Sequence, residues 1–208
     1  MAQREPRMGF IERFMDRQRR MLALQFNELP LPGGEIVFLG DSITESGRWH
    51  EWFPDLPVVN RGIAGDTTDG VLRRIDSAIK APAKVFLLIG TNDISFRRPR
   101  DLVRANQRTI IEQIRATAPH ADLYVQIVMP RTRRYRQRID ELNSHYRELA
   151  AEFGGSYLDL WPALCDAKGE LNGDFTLDQL HLNGAGYRAW TGVLRPLVSS
   201  TSSAHREA

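Results

Sequence analysis

Five short apolar runs recur along this chain, at residues 36–39, 58–60, 85–89, 123–129 and 157–160, and each is followed by turn residues and then by a helical pattern. The third run, Val85-Phe86-Leu87-Leu88-Ile89, shows no polar alternation. A strand of that kind needs cover on both faces, which is the habit of parallel sheets. Strands that alternate with helices give parallel pairs joined by right-handed crossovers. The pattern therefore predicts an α/β fold with five parallel strands between two helical layers. Helices are expected over residues 8–29, from Asp66 or Thr67 with Val71, Leu72, Ile75 and Ile79 inward, over 101–118, over 139–153, and from Gly184 onward. At 208 residues the chain suits one domain, read here as residues 1–198 with the amphipathic helix 8–29 included. The polar tail, 199–208, is expected to be disordered.

Bulk properties narrow the function classes. A net charge of +2 creates no strong field that would call for nucleic acid or an anionic membrane as partner. No apolar run reaches the roughly 18 residues of a membrane span. One cysteine, Cys165, rules out an internal disulfide framework and fits a reducing compartment. Residues 1–20 are charged throughout and carry no apolar signal core, so the expected location is cytoplasmic. The basic helix 8–29 packs on the sheet or on a partner subunit, with a membrane surface as the lesser alternative.

Two strand ends carry the same signature. Gly40-Asp41-Ser42 follows the first run, and Gly90-Thr91-Asn92 follows the third. In open α/β sheets ligands bind outside the carboxyl ends of the strands. Ser42 thus stands where chemistry is done, although Asp, Ser and Thr there would equally serve as helix caps. A serine hydroxyl is a weak nucleophile until a base takes its proton, and a histidine does so when a carboxylate holds its far nitrogen. Asp178 and His181, three residues apart, can form such a pair; a capping aspartate beside an unrelated surface histidine is the plainer alternative. The reaction also needs donors for the developing oxyanion. The N–H groups of Ser42 and Gly62 and the carboxamide of Asn92 can serve. Gly62-x-x-Gly65 is neither a dinucleotide fingerprint nor a P-loop, and no G-x-S-x-G elbow occurs.

Taken together, Gly40-Asp41-Ser42-Ile43-Thr44, Asn60-Arg61-Gly62, Gly90-Thr91-Asn92-Asp93 and Asp178-Gln179-Leu180-His181 resemble the four ordered blocks of the SGNH hydrolases, or GDSL esterases and lipases. The resemblance spans residues 36–187. It implies a three-layer α/β/α sandwich with a flavodoxin-like sheet, Ser42 as nucleophile, Asp178 and His181 as its partners, Ser42, Gly62 and Asn92 as the oxyanion hole, and no metal or organic cofactor. The long second block, Asn-Arg-Gly-Ile-Ala-Gly-Asp, looks most like intracellular bacterial members similar to platelet-activating-factor acetylhydrolase catalytic subunits, which implies small acyl groups, acetyl above all. The expected partner is a small acyl ester. Rival readings are a lysophospholipase or acyl thioesterase, favoured by the basic helix and the arginine-rich segment 131–138, and a catalytically silent carbohydrate-binding or assembly module. Trp49, Trp52 and Phe53 form an aromatic cluster that would line a pocket or a subunit contact, and with the basic helix they suggest a homo-oligomer.

Overall fold

A computed structural model describes residues 10–200, with side chains from residue 16 onward. The start of the expected helix at residues 8 and 9, the packing of side chains before residue 16, and the tail beyond Ser200 lie outside the described residues.

The elements run α1 (Phe10–Glu28), β1 (Ile36–Gly40), α2 (Ser42–Glu45), α3 (Trp49–Trp52), β2 (Val58–Gly62), α4 (Thr68–Leu72), α5 (Ile75–Ala78), β3 (Lys84–Leu88), α6 (Thr91–Ser95), α7 (Arg100–Thr117), β4 (Asp122–Gln126), α8 (Arg136–Glu152), β5 (Ser156–Leu158), α9 (Trp161–Leu164) and α10 (Gly184–Val198). The strands form one parallel sheet in the order β2-β1-β3-β4-β5. β1 and β3 are central and buried along their whole length. Their alternate side chains divide between two apolar layers. Val37, Leu39, Val85 and Leu87 pack with α4, α5, α7 and α8, while Ile36, Phe38, Phe86 and Leu88 pack with α3, α9 and α10. This is the α/β/α sandwich that the sequence led us to expect.

Four local differences have physical causes. The helix expected after Thr67 is broken into α4 and α5, because Arg74 turns inward between them. Its guanidinium donates to the carbonyls of Arg61 at 2.9 Å and Gly40 at 2.9 Å and to Asp66 Oδ2 at 2.7 Å. The segment after β5, for which the apolar pattern gave no helix, contains α9 and an antiparallel bridge from Cys165 to Leu171. The aromatic cluster is spent largely inside the protomer: Trp49 and Phe53 are buried, and Trp49 stacks on Phe38 at 3.9 Å between ring centroids. Those two rings therefore form neither a pocket wall nor a subunit contact. Ser200 is held rather than loose, since Lys84 Nζ donates to its carbonyl at 2.6 Å and its hydroxyl at 2.8 Å.

Helix α1 lies beside the carboxyl edge of β2. Phe26 is buried under the Arg61 guanidinium, 4.7 Å from the ring centroid, and Arg19 Nη1 reaches the Gly65 carbonyl at 3.4 Å. Met21 and Leu24 remain exposed.

Candidate active site

Ser42 opens α2 immediately beyond β1. Asp41 caps that helix, its Oδ1 accepting from the Ile43 N–H at 3.0 Å. The turn has to be tight, because β2 and α2 nearly touch. A Cβ on Gly62 would lie 2.2 Å from the Glu45 nitrogen, which leaves glycine as the residue that fits. Asn60 completes the joint: its Nδ2 donates to the carbonyls of Glu45 at 2.9 Å and Gly47 at 3.1 Å. The Glu45 carboxylate in turn accepts from the Ala64 N–H. Sequence reasoning assigned Asn60 no task; its only signal was its place in the second block.

His181 arrives from the opposite end of the chain. Its Nε2 is 2.9 Å from Ser42 Oγ, and its Nδ1 is 2.6 Å from Asp178 Oδ2. With Asp178 accepting at Nδ1, the ring proton sits there and Nε2 offers a lone pair to the serine hydroxyl. Asp178 is held by its own loop, since its Oδ1 accepts the N–H groups of Leu180 at 3.0 Å and His181 at 2.8 Å. Partial burial pushes this carboxyl up, but the His181 side chain and the two backbone donors outweigh it and hold the group down at about 2. The loop is pinned by the Thr176–Leu182 bridge and by Asn183, which caps α10. From α10, the Tyr187 hydroxyl donates to the Ile43 carbonyl at 2.6 Å and so ties this side of the site to α2.

Asn92 lies on α6, directly beyond β3. Its Nδ2 donates to the Asp66 carbonyl at 2.8 Å, which leaves the second N–H of that amide uncommitted among the described residues. Gly62 is placed differently from the expectation. Its N–H already donates to Asn60 Oδ1 at 2.9 Å, so it is not free for an oxyanion while that bond stands. Three residues further on, Gly65 has a positive φ of 76°, and its N–H donates to no described residue, as is also true of Ser42.

Beneath these groups lies a buried charged network. Asp66 pairs with Arg74, and Asp93 accepts the Thr68 N–H at 3.0 Å and hydroxyl at 2.8 Å. Burial pushes Asp66 and Asp93 up and Arg74 down, each partly offset by its partners. Asp41 goes furthest. Full burial, opposed by the Ile43 N–H and reinforced by Asp66 and Asp93, pushes it up to about 7. Among the described residues no group of three or more His, Cys, Asp or Glu is arranged to hold a metal ion. No described helix is long and apolar enough to cross a membrane.

A serine at a strand end, joined through a histidine to an aspartate on the loop before α10, is the arrangement of a serine hydrolase site. Residues 38–189 match the GDSL-like lipase/acylhydrolase family, and the chain belongs to that family. It is an esterase or acylhydrolase, a carboxylic ester hydrolase. Among its relatives, the alpha1 subunit of platelet-activating factor acetylhydrolase IB from Rattus norvegicus is 28% identical over 198 residues, 90% of this chain and 82% of the relative. The alpha2 subunit from the same organism is 27% identical over 176 residues, 79% of this chain and 76% of the relative. A Streptococcus pneumoniae structure, provisionally described as a platelet activating factor, superposes with a TM-score of 0.83 at 29% identity, covering 90% of this chain and 96% of that one. An acetylxylan esterase from Geobacillus stearothermophilus shares the fold, with a TM-score of 0.68 at 19% identity over 81% of this chain and 96% of its own.

Proposed function

We propose that this enzyme hydrolyses short-chain acyl esters, acetyl esters first, through an acyl-enzyme on Ser42. One observation carries the reading: the unbroken line from Ser42 Oγ through His181 to Asp178, at 2.9 and 2.6 Å. Ser42 Oγ attacks the ester carbonyl carbon as its proton passes to His181 Nε2. The negative carboxylate of Asp178 stabilises the imidazolium and keeps the ring in the productive orientation. The tetrahedral intermediate places its oxyanion among the N–H of Ser42, the uncommitted N–H of Asn92 and the free N–H of Gly65, which takes the part expected of Gly62. Each such donor contributes about 2.7–4 kcal/mol of barrier lowering. The intermediate collapses, the C–O bond to the alcohol breaks, and the alcohol leaves with the proton from His181. Water then adds to the acyl-enzyme with His181 as base, which releases the acid and restores Ser42.

The preference for acetyl rests on the relatives whose names state that activity, and on the implied likeness of the second block. Hydrolysis of p-nitrophenyl acetate, butyrate and octanoate by wild type and Ser42→Ala tests both parts. Serine-dependent turnover that falls with chain length is the expected result. Serine-dependent turnover that rises with chain length would overturn the short-acyl preference in favour of a lysophospholipase or thioesterase. Equal rates for the two proteins would overturn the mechanism.

A further inference from the structure

Four of the five arginines in the segment after β4 fall into two pairs. Arg136 and Arg138 are engaged elsewhere: Arg136 pairs with Asp140 at 2.8 Å and stacks on Trp161, and Arg138 donates to the Arg98 carbonyl at 2.8 Å. Arg131 and Arg134 instead approach the same Tyr135 ring, with their guanidinium carbons 3.9 and 4.6 Å from its centroid. Among the described residues neither has a carboxylate partner. Two like charges have thus been gathered on one ring with no protein anion between them. Cation–π contact offsets part of that repulsion, but it supplies no counter-charge.

Arg131 is the less ordinary of the pair. It is only 9% exposed, and long cations are almost never buried to that degree without a partner. Its Nη1 donates to the Ser95 hydroxyl at 2.8 Å and more weakly to the Thr91 hydroxyl at 3.3 Å and carbonyl at 3.4 Å. Its Nε is buried with no acceptor, and the neighbouring Thr132 hydroxyl is in the same condition. A buried donor left unpaired costs about 1–3 kcal/mol, more on a charged group, so the fold holds this guanidinium at a cost. The contacts to Thr91 put Arg131 beside Asn92. Burial and the neighbouring Arg134 push the guanidinium below its ordinary value, while Tyr135, Asp178 and Asp41 pull it back.

We propose that Arg131 and Arg134, arranged on Tyr135, form a subsite for an oxyanion, a carboxylate or a phosphate, carried by the alcohol part of the ester substrate. The proposal rests on the esterase reading above and deepens it by naming the substrate class. A planar guanidinium suits such a group because its donors match two oxygens at once. The ester is held with its acyl carbon at Ser42 and its anionic end on the β4 side of the site, and no step of the chemistry changes.

Three acetate esters test this on the full chain: 4-acetoxybenzoate, 4-acetoxyphenyl phosphate and the uncharged methyl 4-acetoxybenzoate. The expected result is that wild type favours at least one anionic ester in kcat/KM by about tenfold over the uncharged one. Arg131→Gln and Arg134→Gln each lower that ratio severalfold, Arg131→Lys retains part of it, and the preference shrinks as ionic strength rises. Whichever anionic ester gains more identifies carboxylate or phosphate as the group. Arg134 is exposed, so its variant carries the test even if Arg131→Gln fails to fold. A ratio near one that neither substitution alters, with Ser42-dependent hydrolysis of the uncharged ester intact, would overturn the subsite and leave the esterase reading standing. Absence of Ser42-dependent hydrolysis on all three would instead overturn the esterase reading and the subsite built on it.

Discussion

The strand ends that carry Ser42 and Asn92 and the loop that carries Asp178 and His181 meet at 2.9 Å, but they are made of different material. Around the first lie Asp41, Thr44, Asp66, Thr68, Arg74 and Asp93, all buried and mostly bonded to one another or to strand-end carbonyls. On the second, the side chains of Asp178 and His181 are 52% and 44% exposed, and Leu177 next to them is almost wholly in solvent. The half proposed to hold the oxyanion is therefore part of the core, whereas the half proposed for acid–base work is a surface loop stapled by local hydrogen bonds. Damage to the buried network of the first should be read as lost stability together with lost activity. Damage to the second should be read as lost activity almost alone.

The largest effect tests the meeting point itself. Ser42→Ala should lower kcat by a factor on the order of 10⁶ while the thermal midpoint stays within a few degrees of wild type, as measured by ester hydrolysis and circular dichroism. Asp178→Asn follows, with a loss of about 10⁴-fold in kcat from the wrong imidazole tautomer. Because Asp178 is exposed, its unfolding free energy should change by less than about 1 kcal/mol. A denaturant melt showing a large loss of stability would erase the distinction between the two halves.

The reverse behaviour is expected below the strand ends. Asp66→Asn leaves Arg74 buried without its carboxylate, and breaking such a pair costs about 3–5 kcal/mol, to be read by urea unfolding. It should also depress activity, since losing the Arg74 pair loosens the segment whose backbone carbonyl holds the Asn92 amide. The smallest expected effect concerns pH. Asp41, ordinarily near 3.8, is pushed up to about 7 in the folded protein. Between those values the native state keeps a proton that the unfolded chain has released, so this group's contribution to stability falls as pH rises through the window. The fall is at most about 4 kcal/mol. Asp41→Asn should flatten it, as measured by unfolding at a series of pH values from 4 to 8. Asp178 works with the opposite sign: held at about 2, it favours the fold above its ordinary value of 3.8, and that small contribution is lost as pH falls from there through about 2.

What was legible in the sequence follows the same division. The five strands were visible because buried apolar runs such as residues 85–89 read as covered strands, and three of the four blocks stood out because they sit at strand ends, the fourth lying on the loop before α10. The break between α4 and α5 was not, because Arg74 looks like any exposed helix residue until the carbonyls of Gly40 and Arg61 are seen to need it. Nor was the use of Gly62. A glycine in a motif can donate its N–H or simply make room, and the 2.2 Å approach to Glu45 shows that here it makes room. The roles of Trp49 and Phe53 turned on which way one short helix faces, which aromatic content alone does not reveal. Pairs that are distant in the chain, such as Thr68 with Asp93 or Arg131 with Thr91, depend on packing that no local pattern encodes.

The central claim is that Ser42 is made nucleophilic by His181. It is tested most directly by treating the purified full chain with a fluorophosphonate probe and locating the adduct by peptide mass. A single adduct on Ser42, absent in Ser42→Ala and formed far more slowly in His181→Ala, is the expected result. No adduct on a folded protein, or one on Ser42 that forms equally fast without His181, would contradict it.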